Sequence, residues 1–228
     1  MTVGRTTMKV TTTRFLAQSA IALGLSVALA GCNRAEEAPV QPEEPAAAVA
    51  PAAAAAPSQP HQIASLGMGF VPEDRRVFTD LTVTENLEVG RQPARKWPDG
   101  SDAPLWTPQD LYKLFPNLGE MPQRPGGRMS GGEQQMLTVA RTLMGNPYLV
   151  LLDEPSEGVA PVIVEQMAHM ILELKEQGVS ILLSEQNMHF AELVSDRAYV
   201  LEKGQIRYQA SMEELAANEE VRRAYLSV

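Results

Sequence analysis

Three groups of residues in the 228-residue sequence have types and spacing suited to chemistry. The first is Ser130-Gly131-Gly132-Glu133, standing just before Met136, Val139, Ala140 and Leu143 at helical spacing. Serine and two glycines at a helix start leave backbone N–H groups uncovered. With a hydroxyl beside them and the positive end of the helix dipole behind them, they make an anion site. The same serine also reads as a plain N-cap, and the tripeptide alone does not separate the two. The second is Asp153-Glu154, eighteen residues beyond Gln135, closing the apolar run 148–152. Adjacent carboxylates at a strand's carboxyl end can hold a hard cation or take a proton from water; a solvated strand end is the alternative. The third is Cys32, the only cysteine. A single cysteine excludes an internal disulfide framework and a Cys-cluster metal site, and His61, His169 and His189 lack metal-ligand spacing, so packing is their expected role.

The elements that must position these groups follow from residue 66 onward, where short apolar runs alternate with amphipathic stretches as in a layered α/β domain. Runs 148–152 and 179–183 read as buried strands ending in Asp153-Glu154-Pro155 and Ser184-Glu185-Gln186. The carboxyl edge of such a sheet is where open α/β folds bind ligands. Between them Pro161 opens a helix, with Val162, Val164, Met167, Ile171 and Leu174 at helical spacing, and Gly178 stops it. Segments 197–201 and 206–208 read as a hairpin across Lys203-Gly204, with helices at 212–217 and 219–226. Residues 91–108, polar and proline-containing around Trp97 and Trp106, read as a surface loop.

The N-terminal part is different in kind. Arg5, Lys9 and Arg14 precede an apolar run from 15 to 30 that is short for a membrane span, which needs about 20 residues; a secretory signal fits better. Met8-Lys9 opens an equally good signal, so the start is Met1 or Met8. Residues 33–62 hold six proline and eleven alanine and no aromatic, too little apolar surface to offset chain entropy, and are expected to be a disordered or extended tether. The expected division is signal 1–31, tether 32–64 and α/β domain 65–228. Basic and acidic residues balance over 1–62, so the net charge of −9 belongs to the α/β part. An acidic chain lacks the Lys/Arg surface that phosphate backbones need, which speaks against nucleic acid as a partner.

Leu29-Ala30-Gly31-Cys32 resembles the bacterial lipobox, which implies cleavage before Cys32 and a lipid anchor on its sulfur. The rest resembles the ATP-binding cassette (ABC) ATPases: the signature Ser130-Gly131-Gly132-Glu133-Gln134, then a Walker B strand ending in Asp153-Glu154-Pro155. Segments 70–78, 81–87, 114–116, 184–187 and 196–202 narrow this to the ATPase subunits of branched-chain amino-acid uptake transporters, over about residues 65–228. The resemblance implies a P-loop NTPase-like α/β domain with a helical signature subdomain, and ATP and Mg²⁺ as cofactors. It makes Glu154 the catalytic carboxylate that activates water, and Asp153 and Glu73 the metal-associated carboxylates. Ser130, Gly131, Gly132 and Glu133 become the grip on a nucleotide held by the opposite subunit. Glu73 stands at the Q-loop position and Gln186 where most cassettes carry a switch histidine; Glu157 replaces a leucine usual in the D-loop. Implied partners are a second ABC ATPase subunit and membrane permease subunits, at the cytoplasmic face of the inner membrane.

No Gly-Lys pair followed by Ser or Thr occurs in the sequence, so the Walker A loop that wraps phosphates is absent from these residues and the cassette reads as truncated and catalytically incomplete. The alternative is an exported, lipid-anchored lipoprotein, periplasmic or at the outer membrane, whose N-terminus resembles that of efflux-pump adaptors and which carries a non-catalytic cassette remnant.

Overall fold

The computed structural model describes residues 7–11 and 59–226. Of these, residues 7–11 and 60–226 belong to one compact unit. Cys32 and most of the expected signal and tether lie outside the described residues. In chain order the elements are β1 (Thr7–Thr11), α1 (Pro60–Ser65), β2 (Met68–Val71), α2 (Val83–Gly90), α3 (Pro108–Leu114), α4 (Pro116–Glu120) and a 3-10 turn (Gly126–Arg128). There follow α5 (Gly131–Leu143), β3 (Leu149–Asp153), α6 (Pro161–Glu176), β4 (Ser180–Glu185), α7 (Met188–Val194), β5 (Arg197–Glu202), β6 (Gln205–Ser211), α8 (Met212–Ala217) and α9 (Glu219–Tyr225).

Local chemistry explains most boundaries. Thr82, Ser130 and Ser211 each cap a helix while Glu85, Glu133 and Glu214 reach back to the cap's own N–H, closing reciprocal capping boxes on α2, α5 and α8. Pro161 occupies the first turn of α6, where its missing N–H costs nothing, and Gly178, at φ 85°, lets the chain leave. Val150 and Leu152 of β3 and Ile181 and Leu183 of β4 are buried, alternating with half-buried neighbours.

Among the described residues the strands form one six-stranded sheet in the order β2-β3-β4-β1-β5-β6. β2, β3 and β4 run parallel, with Asp153 opposite Ser184. β1 is antiparallel to both neighbours, pairing Met8 with Glu185 on one side and with Val200 on the other. The sequence reading treats residues 7–11 as the basic start of a signal and gives them no place in the sheet. The structure does, because β4 and β5 both offer backbone donors and acceptors across the gap and the Thr- and Val-containing segment adopts extended backbone readily. α1 also spans the expected boundary between tether and domain at 64/65.

α2 to α5 form the helical part between β2 and β3. Leu87, Leu111, Leu118, Met136, Leu137 and Leu143 share one apolar core, each side chain contributing about 1.5–3 kcal/mol by leaving water. Trp106, expected in a surface loop, is only 4% exposed. The side chain of Asn146, itself buried, accepts from the Trp106 backbone N–H at 3.0 Å and donates to Gln92 O and Pro93 O, tying the polar loop down. Trp97 packs on Tyr148 with ring centroids 5.2 Å apart.

Candidate functional site

β3 ends at Asp153 beside the parallel strand β4, and the chain turns sharply at Glu154, whose φ is 43°. A non-glycine residue in the left-handed region is strained by about 1–3 kcal/mol and persists only where its surroundings hold it. Here the Glu154 N–H donates to Ser184 O at 2.8 Å, and the Gln186 side-chain amide donates to Glu154 Oε1 at 2.6 Å. Gln186 is held in turn by Glu185, which is 2% exposed and accepts the backbone N–H groups of Gln186 at 2.9 Å and Asn187 at 3.0 Å. Asn187 then caps α7. A buried carboxylate thus fixes the turn that carries the amide that orients the Glu154 carboxyl.

Carboxylate oxygens of Glu73, Glu154 and Glu157 lie within 4.8 Å of one another. An all-oxygen, anionic donor set of this kind suits a hard dication such as Mg²⁺. Glu73 is one of the three, and Asp153 at the strand end is not. Glu157, which the sequence marks only as an unusual carboxylate in place of a leucine, is part of the cluster. His61, His169 and His189 are exposed and belong to no metal-ligand group among the described residues.

The signature residues sit at the start of α5. Ser130 is its N-cap, accepting the Glu133 N–H at 3.4 Å, while Glu133 Oε2 accepts the Ser130 N–H at 2.7 Å. Glu133 also lies 3.9 Å from Arg124. Ser130 is thus the N-cap of the two readings of the sequence, and it stands exposed at the start of a thirteen-residue helix. Both glycines have close neighbours. A Cβ on Gly132 would stand 2.8 Å from Ile163 of α6, and one on Gly131 would stand 2.5 Å from an Arg75 guanidinium nitrogen.

Sequence reasoning missed the residues that hold this arrangement: Arg75, Thr138, Arg141 and the buried Asn86. Asn86 Nδ2 donates to the carbonyls of Phe78, Leu81 and Thr82 at 3.0–3.1 Å and its Oδ1 accepts the Phe78 N–H at 3.0 Å. An asparagine beside Leu87 on the apolar face of an amphipathic helix is the signal in the sequence that could mark it. Cys32 lies outside the described residues, and no helix among those described is long and apolar enough to cross a membrane.

Comparison with known proteins shows the family and the fold. The sequence model of the ABC transporter family matches residues 41–157, starting upstream of residue 65, where the sequence reading begins the cassette. Over 156 residues the chain is 47% identical to a Pseudomonas aeruginosa protein described as a high-affinity branched-chain amino acid transport ATP-binding protein, BraG. That match covers 68% of this chain and 65% of the relative, so the chain spans just under two thirds of that protein's length. It is 33% identical over 172 residues to an Archaeoglobus fulgidus protein named as a probable branched-chain amino acid transport ATP-binding protein, LivF, covering 74% of this chain and 70% of the other. A Haemophilus influenzae lipopolysaccharide export system ATP-binding protein, LptB, is 31% identical, with coverage of 73% and 68%. Among solved structures, an ATP-binding cassette of an ABC transporter in its ADP conformation superposes with TM-score 0.57 at 25% identity, covering 75% of this chain and 72% of that one. A nucleotide-free cassette gives TM-score 0.56 at 22% identity with the same coverage. The chain belongs to the ABC transporter family of ATP-binding proteins.

Proposed function

We propose that the chain is the ATP-binding subunit of an ABC importer for branched-chain amino acids, working at the cytoplasmic face of the inner membrane with permease subunits and a second cassette. The observation that carries this reading is the Glu154 carboxyl, strained into place at the end of β3 and oriented by Gln186 at 2.6 Å. The 47% identity to a branched-chain amino acid transport ATP-binding protein supports the substrate class.

In this reading Glu154 takes the proton of the water that attacks the γ-phosphate, and Gln186 holds the carboxylate in line. Asp153 and Glu73 would hold Mg²⁺, which when bound offsets the charge of the phosphates, and Glu157 lies with Glu73 and Glu154. Ser130, Gly131, Gly132 and Glu133, at the start of α5, present a hydroxyl and backbone N–H groups to the nucleotide of the opposite cassette. The 228 residues contain no Gly-x-x-x-x-Gly-Lys-Ser/Thr loop, so a partner cassette supplies the loop that holds the nucleotide facing α5. The test is to mix the chain with a family member that carries the loop. A mixed dimer forming only with Mg-ATP is the expected result, and no nucleotide-dependent pairing contradicts it.

Leu29-Ala30-Gly31-Cys32 favours a second reading, an exported lipoprotein. Cleavage before Cys32 would remove β1 from the sheet. Incorporation of labelled palmitate that disappears in Cys32→Ser supports it, and an unlabelled product rules it out.

A further inference from the structure

Arg75 and Arg76 are consecutive non-glycine residues in the left-handed region, at φ 64° and 43°. Such backbone costs about 1–3 kcal/mol per residue and needs external support. α5 supplies it: Thr138 Oγ1 donates to Arg75 O, and Arg141 Nη2 donates to Arg76 O at 2.7 Å. Arg141 is itself fixed, its guanidinium 4.8 Å from the centre of the Phe78 ring and its Nη1 3.4 Å from Asn86 Oδ1. This backbone sends the Arg75 side chain across the first turn of α5. There one nitrogen occupies the space beside Gly131, and Nη2 donates to Gly158 O at 3.5 Å in the loop that also carries Glu154 and Glu157. A cation gains nothing from the positive end of a helix dipole. The guanidinium is therefore placed there by its strained backbone and the Gly158 carbonyl, not by attraction to α5.

We infer that Arg75 is a positioning residue that ties the segment around Glu73 to the signature turn and to the Glu154 loop, and that Gly131 is glycine in order to admit its guanidinium. The inference rests on the ATPase reading above for its functional consequence. Movement of residues 73–78 is passed by one side chain to both halves of the site, the turn offered to a partner's nucleotide and the loop that follows the base.

The test is a double-mutant cycle of Arg75→Ala and Gly131→Ala in the full chain, with two readouts. In hydrogen exchange, each single change is expected to speed exchange of amides 154–159 about tenfold, with α9 unchanged and the double variant no worse than either single. The added methyl of Gly131→Ala meets only the mobile end of an arginine, so the fold survives and the guanidinium is displaced. In ATP hydrolysis with a loop-bearing partner cassette, Arg75→Ala is expected to lower kcat about tenfold with KM unchanged; Gly131, which itself meets the nucleotide in that reading, is tested by exchange alone. Additive effects on exchange, or exchange unaffected by Arg75→Ala, overturn the inference. A wild-type pair that hydrolyses no ATP counts against the ATPase reading, and the exchange cycle then decides on Arg75 alone.

Discussion

The side-chain amide of Gln186 donates a 2.6 Å hydrogen bond to the carboxylate of Glu154, joining the turns that leave β4 and β3. An amide in this place orients a base without titrating between pH 5 and 8. Gln186→Leu should lower kcat by about 10- to 100-fold with little change in KM for ATP, because it removes orientation and leaves the base. Gln186→His should add an acid limb to the kcat profile. Its imidazolium, with a pKa raised above about 6.5 by Glu154, weakens that carboxylate as a base, so activity falls as pH drops through the new value. A flat profile from pH 5 to 8 in the histidine variant contradicts this.

Glu185 is the next link inward. Glu185→Ala frees the N–H groups of Gln186 and Asn187 and should reproduce the kinetic defect of Gln186→Leu. The double variant should be no slower than Gln186→Leu, and multiplicative loss would show that Glu185 acts elsewhere.

Asn86 is fully buried and satisfies four backbone groups of the 78–82 turn. Asn86→Ala should destabilise the chain by about 3 kcal/mol, read as a lower urea midpoint at constant m. A change within 0.5 kcal/mol, the scale of surface substitutions, would mean that water replaces the side chain at about no cost.

Gln135 lies one turn into α5, 2% exposed, with neither amide atom paired to another protein group. Gln135→Leu should raise stability by about 1–3 kcal/mol, since an unpaired buried amide costs that much. Destabilisation would show that the amide is satisfied in solution.

Acid lability follows from the helix caps. The backbone N–H of Thr82, then its hydroxyl, hold Glu85 below the usual carboxylate value of 4.5, and Ser211 does the same for Glu214. Arg91 lowers Glu88, and the Thr107 hydroxyl followed by Lys113 lowers Asp110. All four values are depressed in the folded state, so their stabilisation is present above the unfolded values and is lost as pH falls through the folded ones. The urea midpoint should fall below pH 4.5, and the fall should be shallower in Glu85→Gln.

Much of the scaffold is legible in the sequence because its signals are local. Ser130-x-x-Glu133 before an apolar period marks the start of α5, and Pro161 and Gly178 bracket α6. The apolar runs of β3 and β4 point to Asp153, Glu154 and Gln186 at the sheet's carboxyl edge. What is not legible depends on distant contacts. Arg75 reads as a charge in a loop until the fold brings it to Gly158, 83 residues away. Trp106 reads as exposed until Asn146, 40 residues on, ties its loop to the core. Residues 7–11 carry too little pattern to predict a strand whose partners, β4 and β5, lie almost the whole chain away.

The most direct test of Glu154 as the base is ATP hydrolysis by this chain, complemented with the loop-bearing segment of a relative and paired with a cassette whose own catalytic carboxylate has been removed. Every turnover then depends on the Glu154 side. Hydrolysis by the wild-type pair, reduced about 10²- to 10⁴-fold by Glu154→Gln while Mg-ATP pairing persists, is the predicted result. Equal rates with Glu154 and with Gln in its place would contradict the assignment of Glu154 as the base.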